Sequence, residues 1–499
     1  MNSTSDPRAV ILGAGPAGLT AAYELGKHGV PVTVLEQDER YVGGIARTVE
    51  HEGYRFDIGG HRFFSKNQEV EDLWTEILGD EMLVCGRLSR IYYRGKYFDY
   101  PLKAFNALRS LGPVETVRCM LSYGWAKARP RRPVRSFDDW VTNQFGKRLF
   151  QIFFKTYTEK VWGIPTTELS ADWAAQRIKG LDMLSVIKNA LSRGPRSSDR
   201  GTVIKSLIEE FRYPRLGPGM LWERVRDILA ERGQPVLMGR HVEAVHHDRG
   251  AVTSVTAVHR SGNQTEYEGT DFISSLPLRE LIGALDPPAP PAVREAAESL
   301  SYRDFLTVAL IVDEPELFPD NWIYVHEPAV KVGRVQNFKA WSKAMVPDQS
   351  KCCLGLEYFC FEGDGLWSSS DEGLIALATE ELDRLGMVPR EKIIGGAVVR
   401  QPKAYPVYDD VYQEHLAVIR QWVSRALPNL HFAGRNGMHK YNNQDHSMMS
   451  ALVVARNIAL DAGLDPWRVN ADAEYHEAAG DDEPDRGGRA VPERITSNS

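Results

Sequence analysis

Three glycines constrain this chain more than any other feature in it. Gly13, Gly15 and Gly18 form a GxGxxG run between a short apolar segment, Ala9 to Leu12, and the helical pattern "LTAAYELGKHG". A second apolar strand, "PVTVLE", follows and ends on Glu36, 18 residues after Gly18. In such a strand–turn–helix–strand unit the first glycine permits the tight turn and the second lets backbone approach a pyrophosphate. The third lets helix and strand pack closely, and the helix N-terminus then faces the phosphates. A carboxylate at the end of the second strand accepts from a ribose hydroxyl. The spacing therefore predicts a dinucleotide site on a doubly wound sheet.

Composition narrows the remaining classes. A net charge of -7 offers no basic footprint for nucleic acid, so an anionic ligand must be held by a few local cations. The five cysteines include no CxxC pair, and Cys352, Cys353 and Cys360 sit in the apolar run "CCLGLEYFCF". They read as strand core, no metal site is expected, and a reducing cytoplasm is the expected location. The opening residues lack a signal-peptide pattern, and no apolar run reaches the ~18 residues of a membrane span.

Further along, the pattern from about Pro101 to Leu207 is helical, broken by the basic loop "KARPRRPVRS". "PVLMGRHVEAVHHDRGAVTSVTAV" reads as paired strands and "TDFISSLP" as another, before the break "DPPAPP". "FLTVALIV", "NWIYVH", "KVGRVQNF" and "CCLGLEYFCF" then predict one antiparallel sheet. Ser369 and Glu372 are spaced as a capping box for the next helix. "SMMSALVVARNIAL" predicts a final apolar helix after the strand "LHFAG", and the polar stretch 468–499 is expected to be a disordered tail.

"YVGGIART", "FDIGGHRFF" and "LHFAGRNG" resemble segments of the FAD-binding flavoprotein superfamily that includes amine oxidases, protoporphyrinogen oxidase and UDP-galactopyranose mutase. The resemblance implies FAD, with Gly43, Gly44, Gly59 and Gly60 in close backbone approach to it. It implies Arg47 beside the pyrophosphate, Val242 meeting the adenine through its backbone, and Gly434 and Arg435 at a helix facing the flavin. Gln444, Asp445 and Ser447 would meet the flavin ring from the start of the last helix, where simple N-capping is the alternative. His61 would lie beside the isoalloxazine and respond to its charge, or merely bond a loop carbonyl. The implied fold is α/β. Its Rossmann-like FAD-binding domain is discontinuous (1–100, 205–300 and 405–467), with an inserted helical domain (101–204) and an antiparallel-sheet substrate domain (301–404).

One branch of that superfamily is matched more closely. "YTEKVWG" is similar to the "YTEKxWG" segment of bacterial UDP-galactopyranose mutases, and "KYFDYPLKAF", "YPVYDDVY", "GGHRFFSK" and "GRNGMHKYNNQDHSMM" resemble further segments of that family. By this resemblance Trp162 bears on the nucleotide base, though a core Trp is the other reading. Arg177 and Arg334 would clamp the substrate diphosphate, a task suited to a planar, always-charged fork. Tyr405 and Tyr441 would offer hydroxyls to the same phosphates, and Asn443 would reach the substrate. The chain departs from the family at Trp341, where eukaryotic mutases carry Tyr, and at Arg62, where an aliphatic residue is usual. Both are expected at the sugar or its covering loop, so the sugar itself stays open.

The implied activity is interconversion of pyranose and furanose forms of a nucleotide-diphosphate sugar. Reduced flavin N5 acts as nucleophile at the anomeric carbon, with no net redox. NADPH or NADH stands as a possible reductant. Two other readings remain: a FAD-dependent oxidoreductase of the amine oxidase type, and a flavin-binding protein without turnover.

Overall fold

The structure, a computed structural model, describes residues 6–100, 110–169, 171, 210–409 and 411–470. Its first layer is a five-stranded parallel sheet in the order Leu430–Phe432, Asp271–Ser274, Ala9–Leu12, Val32–Leu35, Val236–Leu237. Ala9–Leu12 is buried throughout, as a parallel strand covered on both faces must be. The helix Pro16–Lys27 follows it with Pro at its first position, where the missing N–H costs nothing. It packs in one core with Gln444–Leu460, whose residues from Gln444 to Ala455 are all buried.

The second layer is a seven-stranded sheet ordered Ile393–Pro406, Tyr302–Val312, Cys352–Cys360, Arg334–Asn337, Trp322–Val325, Ser89–Tyr93, Lys96–Asp99. Only the pair Trp322–Val325 with Ser89–Tyr93 is parallel. The four runs expected to form one sheet do so. The hairpin Ser89–Asp99, however, joins them rather than the nucleotide-binding part to which the span 1–100 assigns it. Asn321 explains the join. It exchanges two 2.9 Å hydrogen bonds with Leu88, and Asp320 beside it takes the Arg90 guanidinium at 2.8 and 2.5 Å.

Period-two alternation splits the central strands between two cores. Leu306, Val308, Leu310 and Leu356 pack on the helix Asp371–Arg384 through Leu374, Ala378 and Leu382. Ala309, Ile311 and Cys353 face the other way, against Phe56, Tyr213 and Trp341. That helix is capped one residue later than expected: Ser370 accepts from the Gly373 N–H at 3.1 Å, whereas Ser369 donates to the Gly365 carbonyl. The sequence spacing fitted Ser369, but the Asp364 turn, with Ser369 folded back on it, moves the helix start onward.

A helical group follows: Pro113–Ala128, Phe137–Phe145, Lys147–Phe150 and Thr156–Trp162, the last entered through a π-helical turn, Gln151–Lys155. They share a core with Ile91 and Phe98 of the hairpin. All five cysteines are buried and free, and no helix among the described residues is long and apolar enough to cross a membrane.

One buried acid stands out. Asp57 ends the strand Tyr54–Asp57 and accepts from the Tyr213 hydroxyl and from Thr48 Oγ1 at 3.1 Å. Burial pushes its carboxyl up to about 7, against those two hydrogen bonds. An acid raised on folding stabilises below its unfolded pKa and loses that contribution as pH rises through the folded value. We therefore expect thermal stability to fall between about pH 4 and pH 7 by a component that Asp57→Asn removes. Scanning calorimetry of both proteins across that range reads the difference, and parallel pH profiles would refute the assignment.

Candidate active site

The glycine turn is built as the spacing demands. Gly13 has φ +98°, and a Cβ there would meet Ser275 Oγ at 2.5 Å. A Cβ on Gly18 would lie 1.9 Å from the Gly13 carbonyl oxygen, so helix and turn touch with no room for a side chain. Glu36 binds the turn itself: its carboxylate accepts from the Ala14 N–H at 2.8 Å and the Asp38 N–H at 2.9 Å. Burial raises its pKa, the two backbone bonds working against that. Beyond Glu36 opens a cleft of about 770 Å³ lined by Gln37, Asp38, Arg40, His241 and Arg260 among others. Val242 sits next to it on Arg240–Asp248, paired to Ala257 on one side and followed by a bulge.

Gly43 and Gly44 bring a second loop onto this turn. Gly43 has φ +95° and donates its N–H to the Ala14 carbonyl, and a Cβ on Gly44 would meet the Gly15 Cα at 3.3 Å. Arg47 closes the loop, donating to Gly44 O at 3.0 Å and Gln401 Oε1 at 2.7 Å. Its buried Nε has no partner. Burial lowers its pKa, with Asp38 and Glu36 opposing.

The strand Tyr54–Asp57 leads into Gly59, Gly60 and His61. His61 Nδ1 lies 3.1 Å from the Gly59 carbonyl, which can only accept, so that nitrogen carries the proton and Nε2 is left as an acceptor. Burial, then the charges of Arg435 and Arg334, bring its pKa down to about 3. A Cβ on Gly60 would lie 3.7 Å from Arg334 Nη1. Arg334 spends the opposite edge of its fork on Glu357, at 2.6 Å through Nε and 2.5 Å through Nη2. Gln336 Nε2 takes the other Glu357 oxygen at 2.7 Å. Burial opposes the Arg334 charge, but Glu357 first and then Tyr157 and Tyr405 hold its pKa well above the ordinary value.

Aromatic rings close this cluster. Tyr405 and Tyr441 stack at 5.6 Å with 16° between planes, and the Arg435 guanidinium lies over both, at 5.1 and 5.2 Å. Arg435 is fixed by the Asn442 and Ala404 carbonyls at 2.9 and 3.0 Å. Trp162 is buried, with its ring centroid 6.3 Å from that of Tyr441. Tyr157 stacks on His326 at 5.0 Å, and burial holds its hydroxyl well above its usual pKa.

The segment "YTEKVWG" is anchored by two cations. Lys160 Nζ donates to the Val325, Glu327 and Val332 carbonyls at 3.2, 2.7 and 3.0 Å, and burial lowers its pKa to about 8. Arg303 donates to the carbonyls of Val161, Lys160 and Phe359. A Cβ on Gly163 would strike that guanidinium at 2.6 Å.

Two expected site residues fall elsewhere. Trp341 is core: it stacks on Trp322 at 5.4 Å, packs on Tyr213, and satisfies its indole N–H on the Asn321 carbonyl. An indole with both faces and its donor occupied has nothing to offer a sugar. Asn443 forms a reciprocal capping box with His446, so its side chain caps Gln444–Leu460 instead of standing free for substrate. Asp445 accepts from Ser65 Oγ at 3.2 Å, and the Ser447 N–H caps on the Asn443 carbonyl. Gln444 donates to the Arg62 carbonyl at 3.4 Å, with its buried Oε1 lacking a partner. Gly434, with φ +82°, donates to Ser450 Oγ. Arg177 lies outside the described residues. Glu357, Gln336, Lys160 and Arg303 escaped the sequence reading. A Glu within the apolar run "CCLGLEYFCF" was the available signal for the first.

Residues 16–459 match the flavin containing amine oxidoreductase family. The chain belongs to it. An L-amino-acid oxidase of Sistrurus catenatus edwardsii is 45% identical over 73 residues, 14% of this chain and 14% of that relative's own length. Among solved structures, a reduced UDP-galactopyranose mutase covers 93% of this chain and 99% of its own, at TM-score 0.76 and 24% identity. A putrescine oxidase variant covers 91% and 98%, at TM-score 0.60 and 17% identity.

Flavin is thus the cofactor of the family, and the residues here fit FAD. A glycine turn packed too closely for side chains at Gly13 and Gly18 before a helix N-terminus, a buried guanidinium nitrogen without a partner and an open acceptor on Gln444 are what a pyrophosphate and a polar ring require. Gly13, Gly15, Gly18, Glu36 and Arg47 would hold its nucleotide half, and Gly59, Gly60, His61 and Gln444 its ring. Gly18→Ala is expected to purify without visible flavin absorbance while keeping its far-UV circular dichroism; wild-type flavin content in that variant would sink the assignment. Lys160→Met, which strips three carbonyls of their donor, is expected to cost about 3 kcal/mol in denaturant unfolding. A loss within error would mean that water replaces the ammonium.

Proposed function

We propose that this family member is a FAD-dependent nucleotide-sugar mutase, an intramolecular transferase that interconverts pyranose and furanose rings without net redox. The observation that carries this reading is Arg334, a permanent charge beside Gly60 and His61 with Tyr157 and Tyr405 in electrostatic reach. A departing nucleoside diphosphate needs positive charge and hydroxyl donors already in place, because groups that need not reorganise stabilise developing charge best. Arg334 Nη1, Arg435 and the hydroxyls of Tyr405 and Tyr441 supply them from rigid elements. Arg177 is the second proposed clamp, Trp162 the base-side wall.

Bound FAD in its reduced state would supply the nucleophile toward the anomeric carbon. The chain's own part is placement and charge. His61, neutral across the working pH range, presents Nε2 as an acceptor without adding a charge that would compete for the diphosphate. The stacked Tyr405–Tyr441 pair, clamped by Arg435, keeps the reacting end in one pose. The likeness to a mutase structure at TM-score 0.76, against 0.60 for the putrescine oxidase, supports the same reading at the level of fold.

A second reading, FAD-dependent oxidation of a small organic substrate, draws on one observation. Glu357 already neutralises part of the Arg334 charge, which leaves a weaker anion site than two open arginines would.

The test is a steady-state assay of dithionite-reduced enzyme with UDP-galactofuranose and a panel of other nucleotide sugars, products separated by anion-exchange chromatography. Dithionite makes the result independent of whether NADH or NADPH is the reductant. We expect isomerisation only with reduced flavin. Arg334→Lys, which keeps Glu357 paired but loses the fork, should lower kcat/KM about a hundredfold, and Tyr405→Phe about tenfold. Flavin reduction by an amine or alcohol, with no isomerisation of any sugar, would transfer the protein to the oxidoreductase reading.

A further inference from the structure

The helix Pro113–Ala128 is turned inside out for a helix at a protein surface. It buries Cys119, Tyr123 and Ala126 and directs Val114, Val117, Leu121 and Trp125 outward, Leu121 at 70% and Trp125 at 64% exposure. At 3.6 residues per turn these four fall within about 80° of one another, on the side opposite the buried three. Met120 on the same helix is also exposed. A contiguous apolar stripe of this kind marks a surface made to be covered.

What covers it is indicated by charge. Arg129 lies over the Trp125 ring at 4.8 Å and Arg118 lines the same hollow as Lys147, while Lys127, Arg132 and Arg135 are exposed on this helix and the loop that follows it. Arg118 reaches Glu115 only at 3.9 Å, and the other five make no salt bridge among the described residues. On a chain of net charge -7 this is a local reversal. Between the helix and Lys147 a hollow of about 350 Å³ is lined by Arg118, Ser122, Lys147, Arg148 and Gln151, a size and lining suited to a phosphate headgroup. Two copies of the chain laid stripe to stripe would bring these like charges together. An anionic surface with an apolar interior satisfies both halves of the patch.

We propose that this face docks the enzyme on an anionic phospholipid bilayer, with Val117, Leu121 and Trp125 in the headgroup–acyl boundary and the cations on lipid phosphates. An amphipathic helix with a Trp-bearing apolar face and a basic border lies in the interface plane without crossing it, and each cation near such a surface adds affinity only within a Debye length. This inference goes beyond the catalytic reading and uses none of its residues.

The test is co-sedimentation of the full-length flavin-loaded protein with vesicles of equimolar phosphatidylglycerol and phosphatidylcholine, and with phosphatidylcholine alone, at low and high salt. We expect sedimentation with the anionic vesicles only, weakened by salt. Leu121→Glu/Trp125→Glu should abolish it, and Arg129→Glu/Arg132→Glu should weaken it by about fivefold or more per cation. Flavin content serves as the check of folding in both variants. No sedimentation of the wild type, equal binding to neutral vesicles, or unchanged binding by both variants would overturn the proposal. So would a solution dimer, seen by light scattering, that Leu121→Glu/Trp125→Glu splits into monomers.

Discussion

A single buried ion pair organises the half of the molecule that carries the candidate site. Arg334 and Glu357 are direct cross-strand partners in an antiparallel ladder, so their side chains leave the sheet on the same face. Gln336, two residues on, leaves it there too and takes the second carboxylate oxygen. Glu357 has no exposure and sits in a strand buried at every position. An unpaired charge in that place would cost about 3–5 kcal/mol. A slip of one residue would turn Glu357 into the opposite core, among Leu306, Val308 and Leu374. The pair therefore sets register, and register sets the site. It holds one edge of the Arg334 fork inside the sheet and leaves the other toward Gly60.

The helix Thr156–Trp162 depends on the same sheet. Its last carbonyls are taken by Arg303, from the start of the central strand, and Lys160 reaches into the turn between Trp322–Val325 and Arg334–Asn337. The Lys beside the Trp is thus a fastener. It converts a short helix, too brief to persist alone, into part of the frame that carries Tyr157 and Trp162. Glu159 completes the segment by accepting from Lys155 and from Thr166, just past the Gly163 turn that ends the helix. Backbone carbonyls account for the Lys, Lys155 and Thr166 for the Glu, and the Trp fills the adjoining core.

Local chemistry was readable from the chain because its causes are local. The turn at Gly13 and the strand run "FLTVALIV" each depend on neighbours a few residues away. Residues whose role depends on distant partners were not. Trp341 looked like a binding residue until Trp322, Tyr213 and Asn321, all far from it in sequence or across the sheet, enclosed it. The hairpin Ser89–Asp99 changed layers because Asn321 and Asp320 claim it. Glu357 was hidden by its own surroundings: an apolar run predicts burial, and only the neighbouring strand says what a buried carboxylate is paired with.

The fold leaves the chemistry of this family open, and the proposed reading turns on the balance of charge at Arg334. With Glu357 ionised, the pair is close to neutral and the net attraction for an anion falls to Arg435 and the phenol dipoles. Burial raises the Glu357 pKa against the pull of Arg334. A diphosphate contacting Nη1 would share the cation without displacing Glu357, since the carboxylate occupies only the Nε–Nη2 edge. That division of one fork between a structural and a ligand-facing edge needs arginine; lysine has no second edge to give.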